Sequence, residues 1–192
     1  TDIEAQGGLR AAVASGAVKE LLDTSFEAVR KDIAHRIKQL TAINEFPNLA
    51  EAPLPADLRV GPKYVRRWAG EFEALRNRSD AYMEVKGVRP AAALIPLGPL
   101  AKHNIRTGFA TNLLASGGIE ALNPGQVTPG TPEFEQAAKA AKVVVICGTD
   151  QEYAETGAEA FKALKDLGWQ ALKLKALSQT VTCTSRLMQP LP

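Results

Sequence analysis

Ala91-Ala92-Ala93-Leu94-Ile95-Pro96-Leu97 and, further along, Val143-Val144-Val145-Ile146-Cys147 are unbroken apolar runs, each followed directly by a glycine, Gly98 and Gly148. A strand covered on both faces reads in this way, whereas a strand with one wet face alternates. Both runs fall far short of the roughly 20 residues a bilayer span needs. Helical segments are predicted over 100–116, 132–141 and 150–167, with a short apolar piece at 119–122 and a strand-like one at 169–174. Alternation of this kind predicts an α/β fold, a doubly wound parallel sheet with four visible strands. The last stretch, 178–192, is rich in Ser, Thr and Pro without a period, and reads as an irregular tail.

Toward the N-terminus, Val65, Trp68, Phe72 and Leu75, continued by Tyr82 and Val85, make a helical stripe that ends at Gly87. Pro47, Pro53, Pro55, Gly61 and Pro62 mark an extended connector and a domain boundary. Before it, Val18, Leu22, Phe26, Val29, Ile33 and Ile37 recur at steps of three and four, which predicts an amphipathic helix over 17–39. A shorter helix over 3–15 is expected to end at Gly16. Residues 40–46 read as a short strand stopped by Pro47. A lone strand has no partner of its own, so it is expected to dock on another sheet or chain.

The 192 residues exceed one average domain by too little for a second. Hydrophobic residues at 45% and charged residues at 23% are globular usage and exclude a disordered chain. Lys+Arg 23 against Asp+Glu 21 is too balanced for a nucleic-acid footprint. The N-terminus has neither the basic nor the apolar region of a secretory signal and looks internal or trimmed. Cys147 and Cys183 lack CxxC spacing, which argues against a disulfide framework or zinc site and for a cytoplasmic setting.

Ligands of an open α/β sheet bind beyond the carboxyl ends of the strands, so the loops after 97, 122, 147 and 174 are the places to search. The first holds Lys102, His103 and Arg106 near a helix start, where free amides and the dipole favour an anion. There is no GxGxxG or GxxxxGK[ST], and His103 has no second metal-binding residue nearby in sequence, so a surface or capping histidine is expected. In the third loop Thr149 is a natural N-cap, and Asp150 and Glu152 complement the dipole and repel phosphate. Cys147 closes a buried strand beside those acids and is a poor nucleophile. His35 reads as a polar boundary residue. No catalytic set emerges.

Three segments in order, Phe46-Pro47-Asn48-Leu49-Ala50-Glu51 with Pro53-Leu54, Phe72-Glu73-Ala74-Leu75-Arg76-Asn77-Arg78-Ser79-Asp80-Ala81, and Asn112-Leu113-Leu114-Ala115-Ser116-Gly117-Gly118-Ile119-Glu120, resemble the methylmalonyl-CoA mutase family. Ile3-Glu4-Ala5-Gln6-Gly7-Gly8-Leu9 resembles a late helix of that family's substrate barrel. The likeness runs to about Lys175 and is greatest to the small, non-catalytic subunit. It implies that 1–46 is the end of a (β/α)8 acyl-CoA barrel, which would account for the orphan strand. By the same resemblance 47–90 is a linker with helices, 91–175 a flavodoxin-like cobalamin-binding-like domain, and 176–192 an irregular tail that matches nothing in the family.

The family holds cobalt through the His of an Asp-x-His-x-x-Gly motif. Here His103 is a degenerate candidate: Ala101 replaces the Asp that would orient the imidazole, and Arg106 stands at the glycine. The family's Ser-x-Leu reads Gly148-Thr149-Asp150. The resemblance therefore implies a structural piece of an isomerase, forming a heterodimer with a catalytic large subunit that binds adenosylcobalamin, and binding no cofactor itself. The alternatives are an independent nucleotide- or anion-binding α/β protein using Lys102, His103 and Arg106, and a degenerate cobalamin-binding domain. A tail altered after Lys175 is expected to leave the fourth strand exposed at the sheet edge.

Overall fold

The computed structural model describes residues 2–61, 64–172 and 187–190. Along the chain run α1 (Asp2–Ala5), α2 (Leu9–Ala14), α3 (Ala17–Ala34), a 3-10 turn (Ala56–Leu58) and α4 (Gly70–Lys86). These are followed by β1 (Ala91–Pro96), α5 (Leu100–Ser116), β2 (Glu120–Leu122), α6 (Pro132–Lys139), β3 (Val144–Cys147), α7 (Asp150–Glu155), α8 (Gly157–Asp166), β4 (Trp169–Leu172) and β5 (Leu187–Pro190).

The two apolar runs form the centre of the sheet, as their composition requires. β1 lies between β2 and β3, parallel to both, with Leu94 opposite Val145 and Pro96 opposite Cys147. Side chains alternate across the sheet with period two. Ala93, Ile95, Leu97, Val144 and Ile146 face Phe134, Ala137 and Ala138 of α6 and Ala160 and Leu164 of α8. Leu94, Val145 and Cys147 face α5 through Ala110 and Leu114. Helices on both faces leave no position on β1 or β3 for a polar residue. The start of α6 is capped by a side chain: Thr131 Oγ1 accepts the Phe134 N–H at 3.3 Å, with Pro132 at the first helical position.

Several expectations need correction. The helix predicted over 150–167 is two helices, which meet where Thr156, at φ −120°, is followed by Gly157. The fourth strand, β4, does not pair with β3. β5 lies between them, antiparallel to both, giving the order β2-β1-β3-β5-β4 and leaving β4 at the edge with its inner side paired. The tail expected to be irregular thus supplies a strand at 187–190, since the open ladder of β3 offers hydrogen bonds to whichever segment reaches it. The rest of the predicted tail and the end of the predicted fourth strand, 173–186 and 191–192, lie outside the described residues.

The strand predicted over 40–46 is instead a turn, closed by a single bridge from Thr41 to Glu45, with Ala42 and Phe46 at φ 65° and 47°. Among the described residues no strand pairs with it beyond that bridge, and a buried amide organises it locally. Asn44 Oδ1 accepts the Leu40 N–H at 2.7 Å, and its Nδ2 donates to Ile33 O and Lys38 O at 3.0 Å each. Finally, α3 stops at Ala34 rather than 39, and α4 starts only at Gly70. Residues ahead of α4 meet α3 as cations against rings: Lys38 Nζ lies 4.8 Å from the Trp68 centroid, and the Arg66 guanidinium 4.3 Å from that of Phe26.

The N-terminal helices bury little of their apolar stripe: Ile33 alone on α3 and Ala12 alone on α2 are buried. Amides of residues 2–34 are therefore expected to exchange about a hundredfold faster than those of β1 and β3, because local opening there exposes few buried contacts. Equal protection in hydrogen exchange read by mass spectrometry would refute this. Among the described residues no helix is long and apolar enough to cross a membrane.

Candidate functional site

The loops after β1 and β3 meet above the carboxyl ends of the two strands, the position at which doubly wound sheets bind ligands. Gly98 has φ 71°, and a Cβ there would stand 2.6–2.8 Å from the carboxyl atoms of Glu152. A Cβ on Gly148 would meet Glu152 Cβ at 3.1 Å and Leu97 Cβ at 3.2 Å. Thr149 caps α7 as predicted, its Oγ1 accepting the Glu152 N–H at 3.3 Å. That cap fixes Glu152 in the first turn, with its side chain across the gap and only 9% exposed.

The predicted anion loop is brought together only in part. Lys102 and Arg106 line an open groove of about 570 Å³ with Ile105, Phe109 and Asp150. Lys102 Nζ donates to Gln151 Oε1 at 3.0 Å, and Arg106 Nη2 lies 3.3 Å from Asp150 Oδ1. Both cations are thus answered from the opposite loop. His103 does not join them. Expected on the surface or as a cap, it is 2% exposed on the sheet side of α5, its Nδ1 3.0 Å from Gly98 O. The helix is turned against its hydropathy here: Leu100 and Ile105 are 69% and 80% exposed, while His103 and Thr107 face inward.

His35 is exposed, with Nδ1 2.9 Å from Lys31 O, and Cys147 is buried, its Sγ 3.8 Å from Val145 O; both match expectation. Cys183 lies outside the described residues. Among the described residues no group of three or more His, Cys, Asp or Glu is placed to hold a metal.

The three segments that carry the family resemblance converge elsewhere, on the junction between the N-terminal part and the sheet. Arg76 donates to the carbonyls of Ala42 (2.7 Å), Ile43 (2.6 Å) and Ser116 (3.3 Å). Ser79 Oγ donates to Gly118 O at 2.5 Å; a Cβ on Gly118, at φ 80°, would stand 2.6 Å from Ser79 Cβ. Arg89 pairs with Asp80 at 2.7 Å and donates to Leu49 O at 3.3 Å. Asn112 donates to Glu45 Oε2 and accepts the Phe46 N–H, each at 2.6 Å. Arg36, held at φ 59° and 5.2 Å from the Phe109 centroid, completes the set as the ion-pair partner of Glu45. These residues bind one part of the chain to another, and spacing alone gave no signal that they meet.

Burial pushes the Glu45 carboxyl up, but the hydrogen bonds from Arg36 and Asn112 and the Arg36 charge outweigh it and hold the group below its ordinary value of 4.5. A depressed carboxyl contributes stability that is present above that value and lost as pH falls below it. Glu45→Gln is therefore expected to flatten the acid limb of a stability-against-pH curve between about pH 5 and 3; parallel acid limbs for variant and parent would contradict this.

No family model matches the chain. Over 138 residues it is 53% identical to the probable methylmalonyl-CoA mutase small subunit of Mycobacterium tuberculosis (strain ATCC 25618 / H37Rv), covering 71% of this chain and 22% of that protein. It is 38% identical over 173 residues to the methylmalonyl-CoA mutase small subunit of Streptomyces virginiae, covering 87% of this chain and 28% of the relative. With that of Propionibacterium freudenreichii subsp. shermanii the identity is 33% over 182 residues, covering 90% and 27%. The chain thus spans 22–28% of the length of these relatives.

Proposed function

Because the chain belongs to the methylmalonyl-CoA mutase family and groups there with the small subunits, we propose that it is a structural, non-catalytic piece of such a subunit. The parent would be an adenosylcobalamin-dependent isomerase interconverting methylmalonyl-CoA and succinyl-CoA in the cytoplasm. The radical chemistry would belong to the cofactor, held by a catalytic large subunit. This chain would dock on that subunit as the smaller member of a heterodimer.

In this reading 1–46 derives from the end of an acyl-CoA barrel whose strands lie outside the chain, 47–90 is the linker, and 91–175 is the flavodoxin-like unit. The order β2-β1-β3 supports the last assignment, since it is how a flavodoxin-like sheet begins; β5 departs from that pattern. The missing barrel strand is in keeping with the turn at 40–46.

The observation that carries the non-catalytic role is the state of the β1–β3 crevice. A lower cobalt ligand needs an imidazole free to point out of the sheet, and the nucleotide tail needs an open slot. His103 is buried against Gly98 O, Glu152 lies on Gly98, and Arg106 and Lys102 reach across to Asp150 and Gln151. These residues do not fit a corrinoid.

Mixed with the large subunit and hydroxocobalamin and passed over a sizing column, the chain is expected to co-elute with the large subunit. Run alone, it is expected to retain no corrinoid absorbance. An imidazole-type spectral shift in the chain alone would overturn the non-catalytic role, and separate elution from the large subunit would overturn the docking role.

A further inference from the structure

We infer that the gap between β3 and β4 is a strand-acceptor site: the chain fills it with its own β5, and an extended apolar peptide from a partner protein fits it in the same antiparallel register. The slot is a property of the sheet and does not depend on which enzyme the chain serves.

β3 and β4 are joined through α7 and α8, and consecutive strands of a sheet are usually neighbours. Here they lie one strand apart. β5 occupies the space, with Leu187 opposite Val145 on β3 and Leu172 on β4, and with Met188 opposite Val144 and Ala171. It runs antiparallel to both, in a sheet whose other pairs are parallel. Extended peptides add to sheets in this way: main-chain hydrogen bonds hold the backbone, and the neighbouring residues select the side chains.

Selection here is for apolar residues. Val144 packs in the cluster with α6 and α8, and Val145 in the cluster with α5, so the sheet is covered on both sides beside the slot. A strand sends successive side chains to opposite sides, and a charged residue on either would lose water without gaining a partner. The sequence Leu187-Met188 meets this demand. The join is also short. Only Leu187 and Met188 are in register with β3, and Pro190, opposite Trp169, has no N–H with which to continue the ladder. β1 and β3 are held together through four residue pairs, so β5 can leave the slot while the parallel centre stays closed.

Fluorescence anisotropy with a labelled peptide of residues 184–192 as the probe tests the site. In the parent chain the tethered strand competes at an effective concentration of about a millimolar, so the peptide is expected to bind the parent at least about tenfold more weakly than it binds Met188→Pro. In that variant the proline takes the chain's own strand out of the ladder. A peptide carrying the same substitution is expected to bind neither protein. A smaller difference between parent and variant, no binding to the variant, or binding of the substituted peptide would overturn the inference.

Hydrogen exchange in the parent chain decides the matter should Met188→Pro fail to fold. Amides of residues 187–189 are expected to exchange at least about tenfold more slowly than in the free peptide, and at least about tenfold faster than those of β1. Free-peptide rates would show that the slot is not filled, and rates no faster than those of β1 would show that it does not open to a partner.

Discussion

Asp80→Ala is expected to lower the unfolding free energy by about 3–5 kcal/mol, the usual cost of removing one member of a buried ion pair. The side chains of Asp80 and Arg89 are 12% and 11% exposed, and their 2.7 Å contact is set among other polar groups. Without the carboxylate, the Arg89 guanidinium would stay in place with only Ser79 Oγ, at 3.3 Å, and Leu49 O to satisfy it. The penalty comes mainly from the uncompensated charge left behind.

The double variant Asp80→Ala/Arg89→Met is therefore expected to be more stable than Asp80→Ala alone, a non-additivity that a urea-denaturation cycle measures directly. A single-variant loss below about 1 kcal/mol would mean the pair is effectively solvated. Since domains of this size have about 5–15 kcal/mol in hand, Asp80→Ala should populate unfolded chain at physiological temperature. The damage would come through the loss of the Asp80–Arg89 pair, which is not part of the β1–β3 crevice.

Phe134→Ala is expected to cost a similar amount, about 3–5 kcal/mol, for a different reason. Phe134 is fully buried and is the largest side chain that α6 places on the sheet, packed in the cluster of Ala93, Ile95, Val144 and Ile146. Truncation leaves a void walled by strands on one side and helix on the other, neither of which can collapse into it. The expected signature is a lower urea midpoint with an unchanged slope. It should also raise amide exchange in β1 and β3 together, because both strands line the void. Loss of protection confined to α6 would show instead that the helix opens by itself, outside the main cooperative unit.

How far the sequence could be read depended on whether the determinant was local. The apolar runs at 91–97 and 143–147 named the central strands because a strand buried on both faces has little choice of composition, and the structure places both, parallel and adjacent, inside a mixed five-stranded sheet. The Thr149 cap was legible because capping depends on a residue and the amide three positions on. The turn at 40–46 was misread as a strand. Its β-like composition is overridden by one buried amide, Asn44, and no strand among the described residues pairs with it. β5 was missed for the converse reason, since nothing in Leu187–Pro190 announces that the edge of β3 lies within reach.

By itself, then, the sequence determined the alternation of strands and helices and, through three motif segments, the mutase family. These follow from short-range periodicity and residue identity, which need no knowledge of what packs where. Only the tertiary structure decided which side of α5 faces the sheet. That choice buries His103 and Thr107 and leaves Leu100 and Ile105 in water. It also decided that Arg76 and Asn112 meet the turn at 40–46 while Ser79 and Asp80 meet Gly118 and Arg89, and that Glu152 lies on Gly98. The rotation of a helix is set by the sum of its contacts with the sheet and with neighbouring helices, so a weakly amphipathic helix such as α5 can turn a polar face inward once a carbonyl, here Gly98 O, is there to receive it.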